Sequence, residues 1–371
     1  MVLDVNSGSV HVVDDCVYDV LSCMNEGKNA EETAEALSSK YAEQDITEAR
    51  EEIQELADNG MLFTKDIYEN AIDQFSNRPT VVKALCLHIA HDCNLACRYC
   101  FAEEGEYHGR RALMSLEVGK KALDFLIANS GSRRNLEVDF FGGEPLMNWD
   151  VVKQLVAYGR EQEKLHNKNF RFTLTTNGML LNDEVIDFCN REISNVVLSL
   201  DGRKEINDMM RPTRNGKGSY DIIVPKFQKF VEKRGDKSYY VRGTFTRNNL
   251  DFTKDFELMT ELGFKEISIE PVVTPDENDY AIREEDLPTI FEQYDKLAVD
   301  LIRRQKEGKP VTFFHYKLDL NGGPCVYKRL SGCGSGTEYL AVTPTGDLYP
   351  CHQFVGHDEF KLGDVFHGVE R

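Results

Sequence analysis

Between Ala84 and Glu307 the chain alternates apolar, strand-length runs with amphipathic, helix-length segments. Strands fit Ala84–Ala90, Leu136–Phe141, Phe170–Thr176, Asn195–Asp201, Tyr239–Phe245 and Glu266–Pro271; helices fit Ser115–Asn129, Asp150–Lys164, Asp183–Cys189, Tyr220–Glu232, Leu250–Leu262 and Glu284–Glu307. Six strand–helix units in succession predict an α/β fold: a parallel sheet with its helices outside, since a parallel crossover needs a helix-length connection. Six strands alone leave an open barrel and a doubly wound sheet both open. In either, the reactive groups are expected at the C-terminal strand ends.

The flanking segments differ in character. Residues 1–76 read as a separate small domain. Val2–Val5 and Ser9–Val13 flank the turn Asn6-Ser7-Gly8, helices fit Asp14–Met24, Asn29–Tyr41 and Ile46–Asp58, and Met61–Phe63 reads as a returning strand. A hairpin, three helices and a strand suggest a winged helix-turn-helix. DNA binding, the default for that shape, is disfavoured by charge: 18 acidic side chains against 4 basic ones, a net −14, would repel a phosphate backbone. Asn77-Arg78-Pro79 marks a linker, placed at 77–83, before the barrel region 84–309. From about 310 to 371 the chain turns glycine- and cysteine-rich.

The whole chain carries 63 acidic and 44 basic side chains, a net −19, which argues against nucleic-acid partners. No apolar run approaches the roughly 18 residues of a membrane span, and no signal peptide is apparent, so a cytoplasmic location is expected. Ten cysteines without a secretion signal point to metal or redox use. Cys86 and Cys189, inside apolar runs, and Cys16 and Cys23, on a helix, read as small buried side chains.

Cys93, Cys97 and Cys100 form a C-x3-C-x2-C triplet just after the first strand. Three thiolates at that spacing can hold three irons of a [4Fe–4S] cube. Such clusters normally take four cysteines, so one iron stays open for chemistry. Zinc is the alternative metal. Phe141-Gly142-Gly143-Glu144-Pro145 follows the second strand, 42 residues after Cys100, with glycines that let backbone approach closely and a carboxylate acceptor. Thr175-Thr176-Asn177-Gly178 ends the third strand and Ser199-Leu200-Asp201-Gly202 the fourth. Arg211 offers a bidentate fork for a carboxylate. Arg242 and Glu270, on the fifth and sixth strands, either face the cavity or satisfy each other. Cys333 and Cys351 stand in C-x12-G-x4-C across a hairpin formed by Glu338–Thr343 and Leu348–Tyr349.

These motifs in this order resemble the radical S-adenosylmethionine (SAM) enzymes of the SPASM group, and within it the maturases of SCIFF peptides (six cysteines in forty-five residues). The resemblance implies a partial (β/α)6 barrel with an N-terminal winged-helix leader-recognition domain and a C-terminal SPASM segment. It implies that SAM chelates the open iron and is cleaved to methionine and a 5′-deoxyadenosyl radical. By the same resemblance Gly142, Gly143 and Glu144 hold the SAM ammonium, Tyr99 packs near adenine, Ser199 and Asp201 reach ribose and carboxylate, and Arg211 pairs the carboxylate. Cys333 and Cys351 would ligate an auxiliary [4Fe–4S] cluster. The rest of that cysteine pattern is missing before Arg371, so an incomplete auxiliary site in a C-terminally truncated chain is expected, with Cys325 as a further possible ligand. The implied reaction joins a cysteine sulfur to a carbon in a cysteine-rich ribosomal peptide held by its leader, with ferredoxin or flavodoxin as electron donor. A sulfatase-maturase-like dehydrogenase is the nearest alternative, and a non-catalytic iron–sulfur regulator a more distant one.

Overall fold

The computed structural model describes residues 1–70, 80–317 and 332–369. They fall into two compact units, 1–70 with 332–333, and 80–317 with 334–369. Residues 71–79, which include the start of the linker expected at 77–83, and the segment containing Cys325 lie outside the described residues.

In the smaller unit β1 (Val2–Leu3) and β2 (Val10–His11) pair antiparallel. The Asp4 carboxylate stitches the turn, accepting from the amides of Ser7 at 2.8 Å and Thr64 at 3.0 Å. Asp14 caps α1 (Asp15–Asn25), and Asn29 with Glu32 forms a capping box for α2 (Ala30–Leu37). These helices and α3 (Glu43–Asp58) close over Val20, Leu21, Ile46, Ala49, Ile53 and Leu62.

Two expectations fail here. The second helix stops at Leu37, not Tyr41; the Ser38 hydroxyl turns back to the Glu35 carbonyl at 2.9 Å, a bond that competes with helical propagation. The strand expected at Met61–Phe63 does not form. Phe63 has φ +52°, which breaks an extended run.

The larger unit is built on one mixed sheet. Its parallel strands are β3 (Ala84–His91), β5 (Asn135–Gly142), β6 (Asn169–Thr176), β7 (Asn195–Ser199), β8 (Tyr239–Phe245) and β9 (Glu266–Pro271), hydrogen-bonded in that sequential order. A sequential order has no point where strand order reverses, so the doubly wound alternative is excluded and the arrangement is that of an open barrel. The short β4 (Ala112–Leu113) pairs antiparallel with β3, and β10 (Thr312–Phe313) flanks β9. On the other edge β11 (Tyr339–Val342) adds parallel to β3, and β12 (Asp347–Tyr349), β13 (Gly363–Asp364) and β14 (Gly368–Val369) continue antiparallel. The hairpin expected in the last segment is therefore present, but its role as a sheet extension was not foreseen.

The helices between strands are α4 (Leu116–Asn129), α5 (Trp149–His166), α6 (Asp183–Glu192), α7 (Lys204–Met210), α8 (Tyr220–Arg234), α9 (Thr253–Glu261) and α10 (Leu287–Lys306). Alternate strand residues, among them Leu85, Leu87, Val138, Phe140, Phe170, Phe172, Val241 and Ile267, form the core under them. Fully burying each such side chain contributes roughly 1.5–3 kcal/mol. The intervening residues, including Cys86, His88, Thr175, Ser199, Arg242 and Glu270, occupy the opposite face of the sheet. No described helix is long and apolar enough to cross a membrane.

Candidate active site

The C-terminal ends of these strands open into a narrow cavity of about 130 Å³. Cys93, Cys97 and Cys100 line it together with Tyr99, Gly142, Gly143, Thr176, Asn177, Ser199, Arg211 and Arg242. A larger hollow of about 660 Å³ lies at the opposite strand ends, beside Ser238–Tyr240 and Lys265-Glu266, and contains no cysteine.

The cysteine loop leaves β3 at His91 and is pinned from two sides. The amides of Ala96 and Arg98 donate to the carbonyls of Pro212 and Met210 at 2.8 and 2.9 Å. Asp92, one residue before the triplet, accepts from the Arg214 guanidinium at 2.8 Å. All three thiols are half-buried. Burial pushes Cys93 up to about 12 and Cys97 to about 11, so both stand protonated at neutral pH until a cation compensates. The Cys93 sulfur also accepts from the Leu95 amide at 3.5 Å and the Asn177 amide nitrogen at 3.6 Å. Bonds of this kind tune an iron–sulfur centre.

Gly142 and Gly143 were expected to bring backbone close to a ligand. Their closest neighbour is the chain itself. A Cβ on Gly142 would lie 2.4 Å from the Ala90 carbonyl oxygen, and one on Gly143 would lie 2.1 Å from that of Asp92. The amides of Gly143 and Glu144 donate to those same two carbonyls at 2.7 and 2.9 Å. The glycine pair thus seats the end of β5 against the root of the cysteine loop.

Glu144 is fully buried. Its Oε1 accepts from the Leu146 amide at 3.0 Å and the Thr176 hydroxyl at 2.8 Å, and its Oε2 from the Asn177 amide at 2.8 Å. Burial raises its pKa, and these donors oppose the rise. The carboxylate clamps β5 to β6, and Thr176 and Asn177, not Glu144 itself, line the cavity. Asn177 was a member of a polar turn in the sequence reading, and nothing in its spacing marked it as a partner of Cys93.

Ser199 ends β7 at the cavity wall. Asp201 is buried, and accepts from the Tyr99 hydroxyl at 2.9 and 2.8 Å and from the Thr244 amide at 3.0 Å. The Arg211 Nη1 donates to the same Tyr99 oxygen at 2.8 Å. Tyr99, Asp201 and Arg211 are therefore one network beside Cys97. The Arg211 Nε is buried and has no hydrogen-bond partner among the described residues. A buried guanidinium N–H left unmatched is costly, and the carboxylate of an amino-acid ligand would satisfy it. Tyr99→Phe is expected to lower stability by roughly 1–3 kcal/mol, since it strips a partner from two buried charged groups, and to weaken SAM binding. Thermal unfolding and a SAM titration check the two effects.

Arg242 and Glu270 do not satisfy each other. Glu270 accepts from the Ser268 hydroxyl at 2.6 Å and sits 2.8 Å from the His315 Nε2. The Arg242 side chain makes no hydrogen bond or ion pair among the described residues. Cys351 is half-buried with its sulfur 3.7 Å from the His352 Nδ1, whereas Cys333 is exposed and groups with the smaller unit. Cys86 and Cys189 are buried, as expected of small apolar side chains.

Residues 87–251, which contain the triplet, the glycine pair and the Tyr99 network, match the family model of the Radical SAM superfamily. This is a radical SAM domain. The cysteine-type anaerobic sulfatase-maturating enzyme of Clostridium novyi (strain NT) is 25% identical over 294 residues, 74% of this chain and 74% of its own. Among solved structures, native anSMEcpe with bound AdoMet superposes with a TM-score of 0.65 at 20% identity, over 78% of this chain and 79% of that one. Streptococcus suis SuiB bound to precursor peptide SuiA superposes with a TM-score of 0.58 at 14% identity, over 97% of this chain and 81% of that one. At these identities the structural likeness is one of fold.

The radical SAM family implies a [4Fe–4S] cluster and SAM, and the residues fit both. Three thiols spread around one cavity suit a multi-iron cube, in which each iron takes one cysteine. The orphaned Arg211 Nε supplies a site for an amino-acid carboxylate.

Proposed function

We propose that this radical SAM enzyme installs thioether crosslinks, cysteine sulfur to carbon, in a cysteine-rich ribosomal precursor peptide. Cys93, Cys97 and Cys100 would hold a [4Fe–4S] cluster, which when bound would supply the electron for cleavage of SAM to methionine and a 5′-deoxyadenosyl radical. This chain's own residues bind, orient and exclude water. Glu144 fixes Thr176 and Asn177 at the cofactor wall, Gly142 and Gly143 set the cysteine loop, and Tyr99, Asp201 and Arg211 hold the cofactor's polar end with Ser199. Cys333 and Cys351 would serve an auxiliary cluster, and ferredoxin or flavodoxin would supply electrons.

The observation that carries the peptide reading is the extent of the fold likeness. The match to peptide-bound SuiB runs over 97% of the chain, whereas that to anSMEcpe covers 78%. The longer match takes in most of residues 1–70, whose two-stranded β1–β2 sheet offers an edge to which an extended leader can add by main-chain hydrogen bonds. Leu3, Val5 and Val12 beside it are exposed apolar side chains. Precursor peptide with its leader is expected to lose two hydrogens per crosslink, and the leaderless peptide to react with at least tenfold lower kcat/KM. Mass spectrometry of both peptides checks this, and equal rates would remove the leader from the account.

A second reading is a dehydrogenase that oxidises a protein cysteine or serine, favoured by the sulfatase-maturating relative that spans 74% of the chain. Serine oxidation and a thioether each remove two hydrogens, so the product is also treated with a hydrazide: oxidation leaves an aldehyde that adds the reagent, and a thioether does not.

A further inference from the structure

The strand ends on the β8–β9 side hold a group of polar side chains that cofactor binding leaves unused. The registers pair Ser199 with Arg242, Arg242 with Ser268, and Thr244 with Glu270, so all face the same side of the sheet. Arg242 lines the cavity, and no hydrogen bond or ion pair among the described residues engages its side chain. One level nearer the strand ends, Glu270 begins a chain of contacts. Its Oε1 accepts from Ser268, its Oε2 lies 2.8 Å from the His315 Nε2, and the His315 Nδ1 lies 3.2 Å from the Tyr294 hydroxyl of α10. The side chains of Glu270 and His315 are 40% and 28% exposed, so both groups of the pair can exchange protons with solvent. The charged and titratable groups facing Glu270 are Arg242 from β8, His315 from the turn Phe314–Tyr316 and Tyr294 from α10. Glu266, lower on β9, is engaged by the Thr312 hydroxyl at 3.1 Å.

A carboxylate backed by an imidazole, beside a guanidinium with nothing to bind, is an arrangement for removing a proton and stabilising the anion left behind. We propose that Glu270, oriented by His315, accepts the proton of the substrate cysteine, and that Arg242 faces the resulting thiolate. This deepens the thioether reading and rests on it. In the step, the S–H bond breaks, its electron pair stays on sulfur and the proton moves to a Glu270 oxygen; nothing is oxidised or reduced. The alternative is that Glu270 and His315 merely tie the turn at Phe314–Tyr316 to β9.

The test compares the wild-type reconstituted enzyme with Glu270→Gln, which keeps hydrogen-bonding atoms for Ser268 and His315 but accepts no proton, and with Glu270→Asp, which restores a carboxylate. The quantity read is crosslinks per deoxyadenosine from pH 6.5 to 9.5, with a cysteine-containing precursor peptide. Glu270→Gln should fall at least tenfold at pH 7 and recover as pH rises past about 8.5, where a free thiol ionises unaided; Glu270→Asp should retain more than the Gln variant. A second readout needs no turnover: in anoxic enzyme without reductant, the bound peptide's cysteine should be alkylated by iodoacetamide with a pH midpoint at least one unit below that of free peptide, and Arg242→Gln should raise that midpoint. A deficit in Glu270→Gln that is constant across pH, or no deficit at all, overturns the inference while leaving thioether formation standing. Wild-type enzyme that makes deoxyadenosine but no crosslink overturns the thioether reading, and the inference with it.

Discussion

Cys97→Ala is expected to yield a protein that makes no deoxyadenosine above background. Each cysteine of the triplet answers for one iron, and two thiolates cannot hold a cube that already has one open iron. The substitution also removes the thiol next to Arg211, on the cavity wall that Tyr99 shares. Iron and sulfide analysis after reconstitution should show loss of the cluster, and chromatography of the nucleoside products should show loss of SAM cleavage. Cys189→Ala is the matched control. That side chain is fully buried in the hydrophobic core, outside the cavity lining, and its removal should leave the iron content intact.

Gly143→Ala carries the second large effect, although glycine to alanine is a change of one methyl group. The new Cβ would meet the Asp92 carbonyl oxygen at 2.1 Å and its carbon at 2.6 Å. Both are backbone atoms, so no side-chain rotation relieves the clash. The Glu144 amide bond to that same oxygen would break. Overpacking of this kind costs roughly 1–3 kcal/mol and occasionally more. The functional cost is expected to be larger, at least a tenfold loss of deoxyadenosine formation, because Asp92 directly precedes Cys93. Gly131→Ala separates general glycine effects from this one. Gly131 has positive φ, at +52°, but an added Cβ would meet nothing within 4 Å. Its expected cost is about 1 kcal/mol, with cleavage retained. Thermal unfolding and product analysis on both variants check the contrast.

Much of the barrel could be read from the chain because its strands are apolar runs bounded by turns and its helices carry caps. Tyr239–Phe245 and Glu266–Pro271 begin and end where the pattern placed them. The cysteine triplet was legible because metal ligation depends on spacing within one loop. Most of the misses arise from contacts distant along the chain, and the others from elements too short or too locally capped to show a pattern. The seven-residue α7 is too short for a periodic signal. The addition of β11 beside β3 joins segments some 250 residues apart, and no local pattern specifies it. Glu144 reads locally as an open acceptor, yet its donors Thr176 and Asn177 come from the neighbouring strand end. Phe63 has a β-forming side chain, but Thr64 is tied to Asp4 and forces a left-handed turn at Phe63 that propensity does not foresee.

The most direct measurement is anoxic purification and reconstitution, followed by electron paramagnetic resonance of the dithionite-reduced protein before and after SAM is added. The account predicts a brown protein whose reduced [4Fe–4S] signal shifts when SAM binds the open iron, with deoxyadenosine appearing in the same sample. A colourless protein whose bound metal is zinc, silent in resonance and inert toward SAM, would contradict it.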